Sequence, residues 1–440
     1  MNKKITGQII ISSDKISEIE KKVKNISDFK KNIEAVLKEN ITEVLENILL
    51  GTINLNASDV HVEPRKKETK MRIRIDGLLQ EVVDFKKETY QSLISRIKLL
   101  SGIKLNISDR PQDGRFSIIL EKNKEEKEDK KTIEIRTSSL PSEYGESIVL
   151  RILNPKSLVE IESLGLRKNL LTLFLKEIKK PNGMIVVTGP TGSGKTTTLY
   201  AFLKKIQRPE IKIITIEDPI EYHLKGISQT QVAPEKGYDF ANGLRSIMRQ
   251  DPDAILVGEI RDLETTKIAI QSALTGHLVL TTLHTNDAAG TIARLINLGA
   301  KATNIGPAVN MVIAQRLVRK ICKKCGRLEK SSKIEIEKLK KELKGIPKKI
   351  EIPKIDGGLK ILKAKGCRAC NYTGYKGRTG IFEAILIDEE MEKFILENPS
   401  IAALRKKALK KGMLTMKQDG LIKVLNKETS IEEVERVTGE

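Results

Sequence analysis

Gly189-Pro190-Thr191-Gly192-Ser193-Gly194-Lys195-Thr196 fits the phosphate-loop pattern G-x-x-x-x-G-K-[ST] without a mismatch. Glycines at this spacing let successive backbone N–H groups turn toward one anion. A helix starting at the loop's end adds the partial positive charge of its N-terminus. Lys195 can then reach the β- and γ-phosphates of ATP, Thr196 can ligate Mg²⁺, and Thr197 continues the cradle into the helix. Other acids and histidines stand at the ends of apolar runs. Ile214-Thr215-Ile216-Glu217-Asp218 places two adjacent acids where a strand ends, the position at which ligands sit in open α/β sheets. Ala254-Ile255-Leu256-Val257-Gly258-Glu259 ends in one acid and suits a Walker B role, with Glu259 acting near Mg²⁺. His277 and His284 flank a third apolar run, Leu278–Leu283.

All four cysteines lie in two C-x-x-C pairs, Cys322/Cys325 and Cys367/Cys370, 41 residues apart. Two such turns can each offer two thiolates to one tetrahedral Zn²⁺, which this spacing favours over disulfides.

The elements that must position these residues can be read from periodicity. Met184–Thr188 is apolar and β-branched, a buried strand, and residues 197–203 form the helix behind the loop. Strand runs at 211–216, 254–257 and 278–282 alternate with helical runs at 239–249 and 262–275, an order that predicts a mostly parallel sheet with helices on both faces. Upstream, Met71-Arg72-Ile73-Arg74-Ile75 alternates and Asp76-Gly77 makes a hairpin turn. Phe116–Leu120 and Thr132–Arg136 read as paired strands with a solvated charged extension, residues 121–131, between them. The expected fold is therefore α/β, a P-loop (RecA-like) motor domain with a preceding α+β domain and an inserted cysteine module. The expected boundaries are a short helical leader over 1–44, the α+β domain over 45–154, a linker and helix over 155–182, and the motor core over 183–320. The cysteine module follows over 321–376, with a lysine-rich interior at 329–353 expected to be a mobile helix–loop, and a helical region closes the chain over 377–440, its last helix opening on a Ser430-x-x-Glu433 capping box.

The 440 residues suffice for two or three domains. No stretch of 18 uncharged apolar residues occurs and no secretory signal is evident, so a cytoplasmic location is expected. The net charge of +21 invites a nucleic-acid partner, but the excess is lysine spread along the chain. Aromatics are 3% and tryptophan is absent, so platforms for base stacking are scarce and no specific nucleic acid is expected. Affinity for an anionic membrane surface fits the same charge.

Together these blocks make the chain resemble the hexameric ATPases of type II secretion and type IV pilus assembly. The resemblance rests on the Walker A loop (Gly189–Thr196), an aspartate box (Ile214–Glu221), the Walker B element (Ile255–Asp262) and a histidine box (Leu274–Asp287), in that order. Upstream ASDVHVEP, RIRIDG, RPQDGR and IRTSSLPSEYGESIVLR look like the family's domain preceding the motor. The resemblance implies Glu217 as general base, Glu259 assisting Mg²⁺, His277 and His284 lining the cleft, and Arg136 and Arg151 reaching the phosphates. It also implies a homo-hexamer working on an inner-membrane platform protein, peripheral to that membrane, to assemble pilins or pseudopilins. Family members commonly carry a larger N-terminal domain, whereas about 45 residues precede the shared region here. Three rival readings are a pilus retraction ATPase, whose relatives lack the cysteine module, a nucleic-acid-associated P-loop ATPase, and a regulatory nucleotide-binding subunit with no turnover, against which intact Glu217 and Glu259 argue.

Overall fold

A computed structural model describes residues 7–121, 131–155, 158–348 and 350–439. The chain forms two compact units, drawn from residues 1–157 with 365–376 and from 158–364 with 377–440.

The first unit opens with β1 (Gln8–Ile11), α1 (Ser13–Lys22), α2 (Ile26–Val36) and α3 (Ile41–Asn54). Then come β2 (Asp59–Pro64), β3 (Thr69–Ile75), β4 (Leu78–Phe85), α4 (Lys87–Ser101), β5 (Gln112–Leu120), β6 (Lys131–Ser142) and β7 (Gly145–Leu153). The strands form one sheet in the order β1-β5-β6-β7-β2-β3-β4. Asp76 and Gly77 both take left-handed φ values, 50° and 86°, which two-residue hairpins need to match strand twist. Along β6, Ile133, Ile135, Thr137 and Ser139 are buried while the residues between them stay accessible, so one sheet face packs on the core and the other meets solvent.

The N-terminal residues differ from the expected separate leader. Ile19, Val23, Phe29 and Ile33 are buried in the same core as the sheet, and β1 pairs in parallel with β5. The leader expected as helical over 1–44 is a strand and three helices, the last running on to Asn54. Asn25 caps α2 and Asn40 caps α3, each accepting an N–H three residues on at 3.0 Å, because an N-cap side chain satisfies an otherwise orphaned donor. Gly51 lets α3 approach α2, since a Cβ there would sit 2.1 Å from the Phe29 ring. The charged extension expected between β5 and β6 falls at residues 122–130, outside the described residues.

The second unit begins with α5 (Lys168–Glu177), β8 (Gly183–Thr188) and α6 (Lys195–Ile206). It continues through β9 (Ile213–Glu217), β10 (Ser228–Gln231), α7 (Phe240–Met248), β11 (Ala254–Val257), α8 (Leu263–Leu274) and β12 (Leu278–Leu283). After α9 (Ala288–Asn297), α10 (Ala302–Ala308) and β13 (Val309–Ile321) come the short pair β14 (Arg327–Lys330) and β15 (Lys360–Lys363), with α11 (Lys333–Glu342) between them. β16 (Tyr375–Leu386), α12 (Glu389–Leu396), α13 (Ile401–Lys410), α14 (Met416–Leu425) and α15 (Ile431–Thr438) close the chain. The main sheet runs β10-β9-β11-β12-β8-β13-β16, and the pairings from β10 through β13 are parallel. One apolar core covers each face, as expected for a doubly covered parallel sheet.

Two other expectations change. The helix expected inside the cysteine module is present, but it is packed rather than mobile. α11 has a full capping box between Ser332 and Glu335 and buries Leu339 against Leu421 and Val434. The C-terminal region is not wholly helical, because β16 supplies the seventh strand of the main sheet.

Candidate active site

The phosphate loop joins β8 to α6. Gly194 caps the helix with φ 92°, so α6 begins at Lys195. Gly189, φ 148°, also meets a packing limit, since a Cβ there would lie 2.6 Å from the Gln315 carbonyl oxygen. The Lys195 ammonium donates to the carbonyls of Gly189 at 2.8 Å and Pro190 at 3.3 Å. Burial pushes its pKa down, Glu259 opposes that, and Arg316 adds to it. Ser193 Oγ is buried without a hydrogen-bond partner among the described residues, an unusual cost inside a folded loop. A lysine, exposed Thr191 and Gly192, and half-buried Thr196 and Thr197 surround it. This donor-rich set fits a nucleotide's phosphates with Mg²⁺ at Thr196.

Parallel strand order decides which residues share this edge. Leu283 of β12 stands opposite Thr188 of β8, so His284 follows directly beside Gly189. Thr188 Oγ1 and Thr285 Oγ1 lie 2.7 Å apart, stitching the two strand ends. Glu259 follows β11, the next strand over, and its carboxylate lies 3.5 Å from His284 Nε2. Arg261 donates to Glu259 at 2.5 Å. Burial and the Lys195 charge hold the His284 pKa below its usual value while Glu259 pulls it up. The imidazole is therefore neutral at pH 7. The structure brings Lys195, Glu259 and His284 to one edge of the sheet.

Glu217 ends β9, beyond β11 in the sheet order. It is 3% exposed. Its carboxylate accepts from the Tyr200 hydroxyl, from Thr215 Oγ1 at 2.5 Å and from Gln229 Nε2 at 3.2 Å. Burial raises its pKa, and these three donors pull it back. Tyr200 lies five residues after Lys195 in α6, so the loop's own helix touches this acid. Burial, and then the Glu217 charge, push the Tyr200 hydroxyl far above its usual range.

His277 does not join the cluster, which corrects its expected place in the cleft. It precedes β12, its carbonyl accepts from Gly183 N at 3.1 Å, and its Nδ1 lies 3.0 Å from the Ser272 carbonyl oxygen. Gly183 opens β8 whereas the phosphate loop follows Thr188, so His277 sits at the opposite edge of the sheet, roughly 20 Å away at the usual strand rise.

Spacing alone missed Gln315 and Arg316. Gln315 accepts from Thr198 Oγ1 at 2.7 Å and donates to the Ser193 carbonyl at 2.9 Å, clamping loop to helix. Arg316 donates to the carbonyls of Gln315 and Asn286. Their visible signal is a polar pair within the apolar run of β13.

In the first unit, Arg136 and Arg151 are directly opposed across β6 and β7 on the solvent-facing side of the sheet. Arg151 Nε donates to Asp59 at 3.0 Å.

The Sγ atoms of Cys322, Cys325, Cys367 and Cys370 all lie within 4.8 Å of one another. Cys367 and Cys370 place theirs 3.8 Å apart, matching the edge of about 3.8 Å that follows from a tetrahedron with Zn–S near 2.3 Å. The Cys367 N–H donates to Cys370 Sγ at 3.2 Å. The donor set fits zinc.

Residues 34–436 match the family described as type II/IV secretion system protein. The chain is 42% identical over 401 residues to the type II secretion system protein E of Xanthomonas campestris, covering 90% of this chain and 67% of that one. It is 41% identical over 402 residues to the type IV pilus assembly ATPase PilB of Acinetobacter baylyi, covering 91% of this chain and 66% of that one. Among solved structures, the pilus retraction motor PilT with bound ADP superposes with a TM-score of 0.58 at 26% identity, over 89% of this chain and 96% of that one. The chain thus spans about two thirds of the length of these two sequence relatives. Among the described residues no helix is long and apolar enough to cross a membrane.

Proposed function

We propose that this chain, which belongs to the type II/IV secretion system protein family, is a Mg²⁺-dependent ATPase motor that drives assembly of pilin-like subunits. The machine would be a type II secretion system or a type IV pilus. The observation carrying this reading is the convergence of Lys195, Glu259 and His284 on one sheet edge beside a complete phosphate loop. Identity of 41–42% to secretion and assembly proteins, against 26% to the retraction motor, favours assembly over retraction.

In this reading the loop N–H groups and Lys195 hold the β- and γ-phosphates. Thr196, with help from Glu259, would hold Mg²⁺, which would neutralise charge on those oxygens. Glu217, buried and raised in pKa, takes a proton from the attacking water as the water oxygen bonds to the γ-phosphorus. The bond from that phosphorus to the β–γ bridging oxygen breaks, leaving ADP and phosphate. His284, neutral and against Glu259, keeps that carboxylate in place. Arg136 and Arg151 bring guanidinium forks to the phosphates. The four cysteines hold one structural Zn²⁺. The functional unit is a homo-hexamer at the cytoplasmic face of the inner membrane, where movement passes to a platform protein. Lys195→Ala tests the core of the reading. It should abolish Mg²⁺-ATP hydrolysis, and parent-level turnover in that variant would refute the assignment.

A further inference from the structure

β16 is the last strand of the main sheet, and only part of its outer edge is covered. Ile387, just beyond β16, donates its N–H to the Asn310 carbonyl of β13 at 3.0 Å. N–H groups alternate sides along an extended strand, so those of Phe382, Ala384 and Leu386 point the other way, off the sheet. The Phe382 N–H bears this out, because it donates to Asp419 of α14 at 2.8 Å. Farther back, Gly380 lies against the Leu164 carbonyl oxygen, 2.9 Å from where a Cβ would stand. The chain therefore covers this edge at Gly380 and Phe382 with its own groups. The outward N–H groups of Ala384 and Leu386 have no such partner among the described residues.

Ala384 and Leu386 line a cavity of about 390 Å³. Its walls come from the helices on the two faces of the sheet. Leu170 and Leu173 of α5 belong to one core, and Met391 of α12 with Met413, just past α13, to the other. Three bases, Arg167, Lys176 and Lys411, and one acid, Asp388, stand around it. Arg167 pairs with buried Asp419, and Lys411 lies 2.8 Å from Asp388 and 2.6 Å from Glu390. Lys176 is exposed and has no carboxylate partner among the described residues.

An open strand edge is a template for another chain, and folded proteins usually cover it or place charge on it. Here the open part is flanked instead by apolar walls. A strand added beside β16 would lie about 4.8 Å away, within the cavity, and would meet main-chain groups repeating every ~6.8 Å. A fatty acyl chain would fill the same walls but leave those donors and acceptors unpaired, which is costly once water is displaced. An extended backbone satisfies them, and the excess of bases selects an acidic segment.

We infer that this groove takes an extended, acidic segment of a partner protein as an eighth strand of the main sheet, with a carboxylate of that segment against Lys176. Main-chain bonds to Ala384 and Leu386 supply affinity, and the apolar walls and Lys176 supply selectivity. The inference goes beyond the ATPase reading and does not depend on it.

A phage-displayed library of random heptapeptides, panned on the full-length protein, supplies the probe. Enriched peptides should carry Asp or Glu among β-branched residues. A synthetic copy of the strongest binder is then titrated by calorimetry. N-methylating one alternate set of its amides should weaken binding at least tenfold, and methylating the other set should change it little, because only one side of the added strand faces β16. Lys176→Glu should weaken binding at least fivefold, with Lys176→Arg near the parent. Ala384→Pro should weaken it at least tenfold, since it removes one outward N–H and edge strands accept proline. ATP hydrolysis and thermal stability in Lys176→Glu should match the parent, so that variant carries the test even if Ala384→Pro fails to fold. The inference is overturned if no peptide distinguishes the parent from Lys176→Glu, or if neither methylated set loses affinity. Binding of dodecanoate where no peptide binds would point to an amphiphile, and a smaller assembly of Lys176→Glu in light scattering would point to a second copy of this chain. Either result also overturns it.

Discussion

Tyr200→Phe isolates one hydrogen bond at the proposed base. Tyr200 is fully buried and its hydroxyl donates to Glu217, which also holds Thr215 and Gln229. Removing the hydroxyl leaves a buried carboxylate with two donors. A hydrogen bond to a charged group contributes about 1.5–3 kcal/mol, against about 0.5–1.5 kcal/mol for a neutral pair. The variant should therefore lose about 1.5–3 kcal/mol where Glu217 is ionised and less where it is protonated. The sign of the pH dependence follows from the shift. Burial raises the folded pKa of Glu217 above its unfolded value, so the folded state holds the extra proton. That stability is fully present below the unfolded pKa, and it is lost as pH rises through the folded pKa. Losing a donor to the charged form raises the folded pKa further, so in Tyr200→Phe the decline extends to higher pH. If Glu217 is the base, the acid limb of the kcat–pH profile moves the same way, and turnover recovers as pH rises. Urea unfolding at several pH values and a kcat–pH profile read both effects. A variant whose acid limb superimposes on the parent's would refute Glu217 as the titrating base.

Glu217→Gln should bind ATP and turn over roughly a hundredfold or more slowly, as for a lost base; parent turnover would shift the role to Glu259. Metal analysis should find about one zinc per chain, and Cys367→Ser should loosen residues 321–380 in hydrogen exchange while nucleotide binding persists, because a structural zinc contributes directly to folding. Four freely titrating thiols and no zinc would contradict the site. Arg136→Ala should bind ATP nearly normally and lose most turnover, and light scattering with ATP and Mg²⁺ should report a hexamer; a monomer hydrolysing at full rate would exclude the ring.

The residues legible in the sequence are those whose function depends on local spacing. Lys195 sits where a loop of eight residues must end, and the apolar runs at β8, β11 and β12 are long enough to be strands in a covered sheet. Once those strands are parallel, the acid after β11 and the histidine after β12 share an edge. The same argument should have excluded His277, because residues before and after one strand lie at opposite edges whatever the family. What stayed hidden depends on pairing between distant segments. β1 needed β5, a hundred residues on, to become a strand, and Arg151 meets Asp59 only because β7 pairs with β2. Competition hid other details. The local pattern at Ser430 predicts that Glu433 turns back to its own helix start, yet its carboxylate receives Arg319 at 2.6 Å and Arg436 at 2.7 Å, since charged forks are the stronger donors. Glu217 joins the two cases. Its place at a strand end was readable, but the Tyr200 hydroxyl that reaches it comes from the phosphate-loop helix. Any change in α6 on nucleotide binding is therefore felt at this acid through one side chain, a coupling that spacing along the chain does not encode.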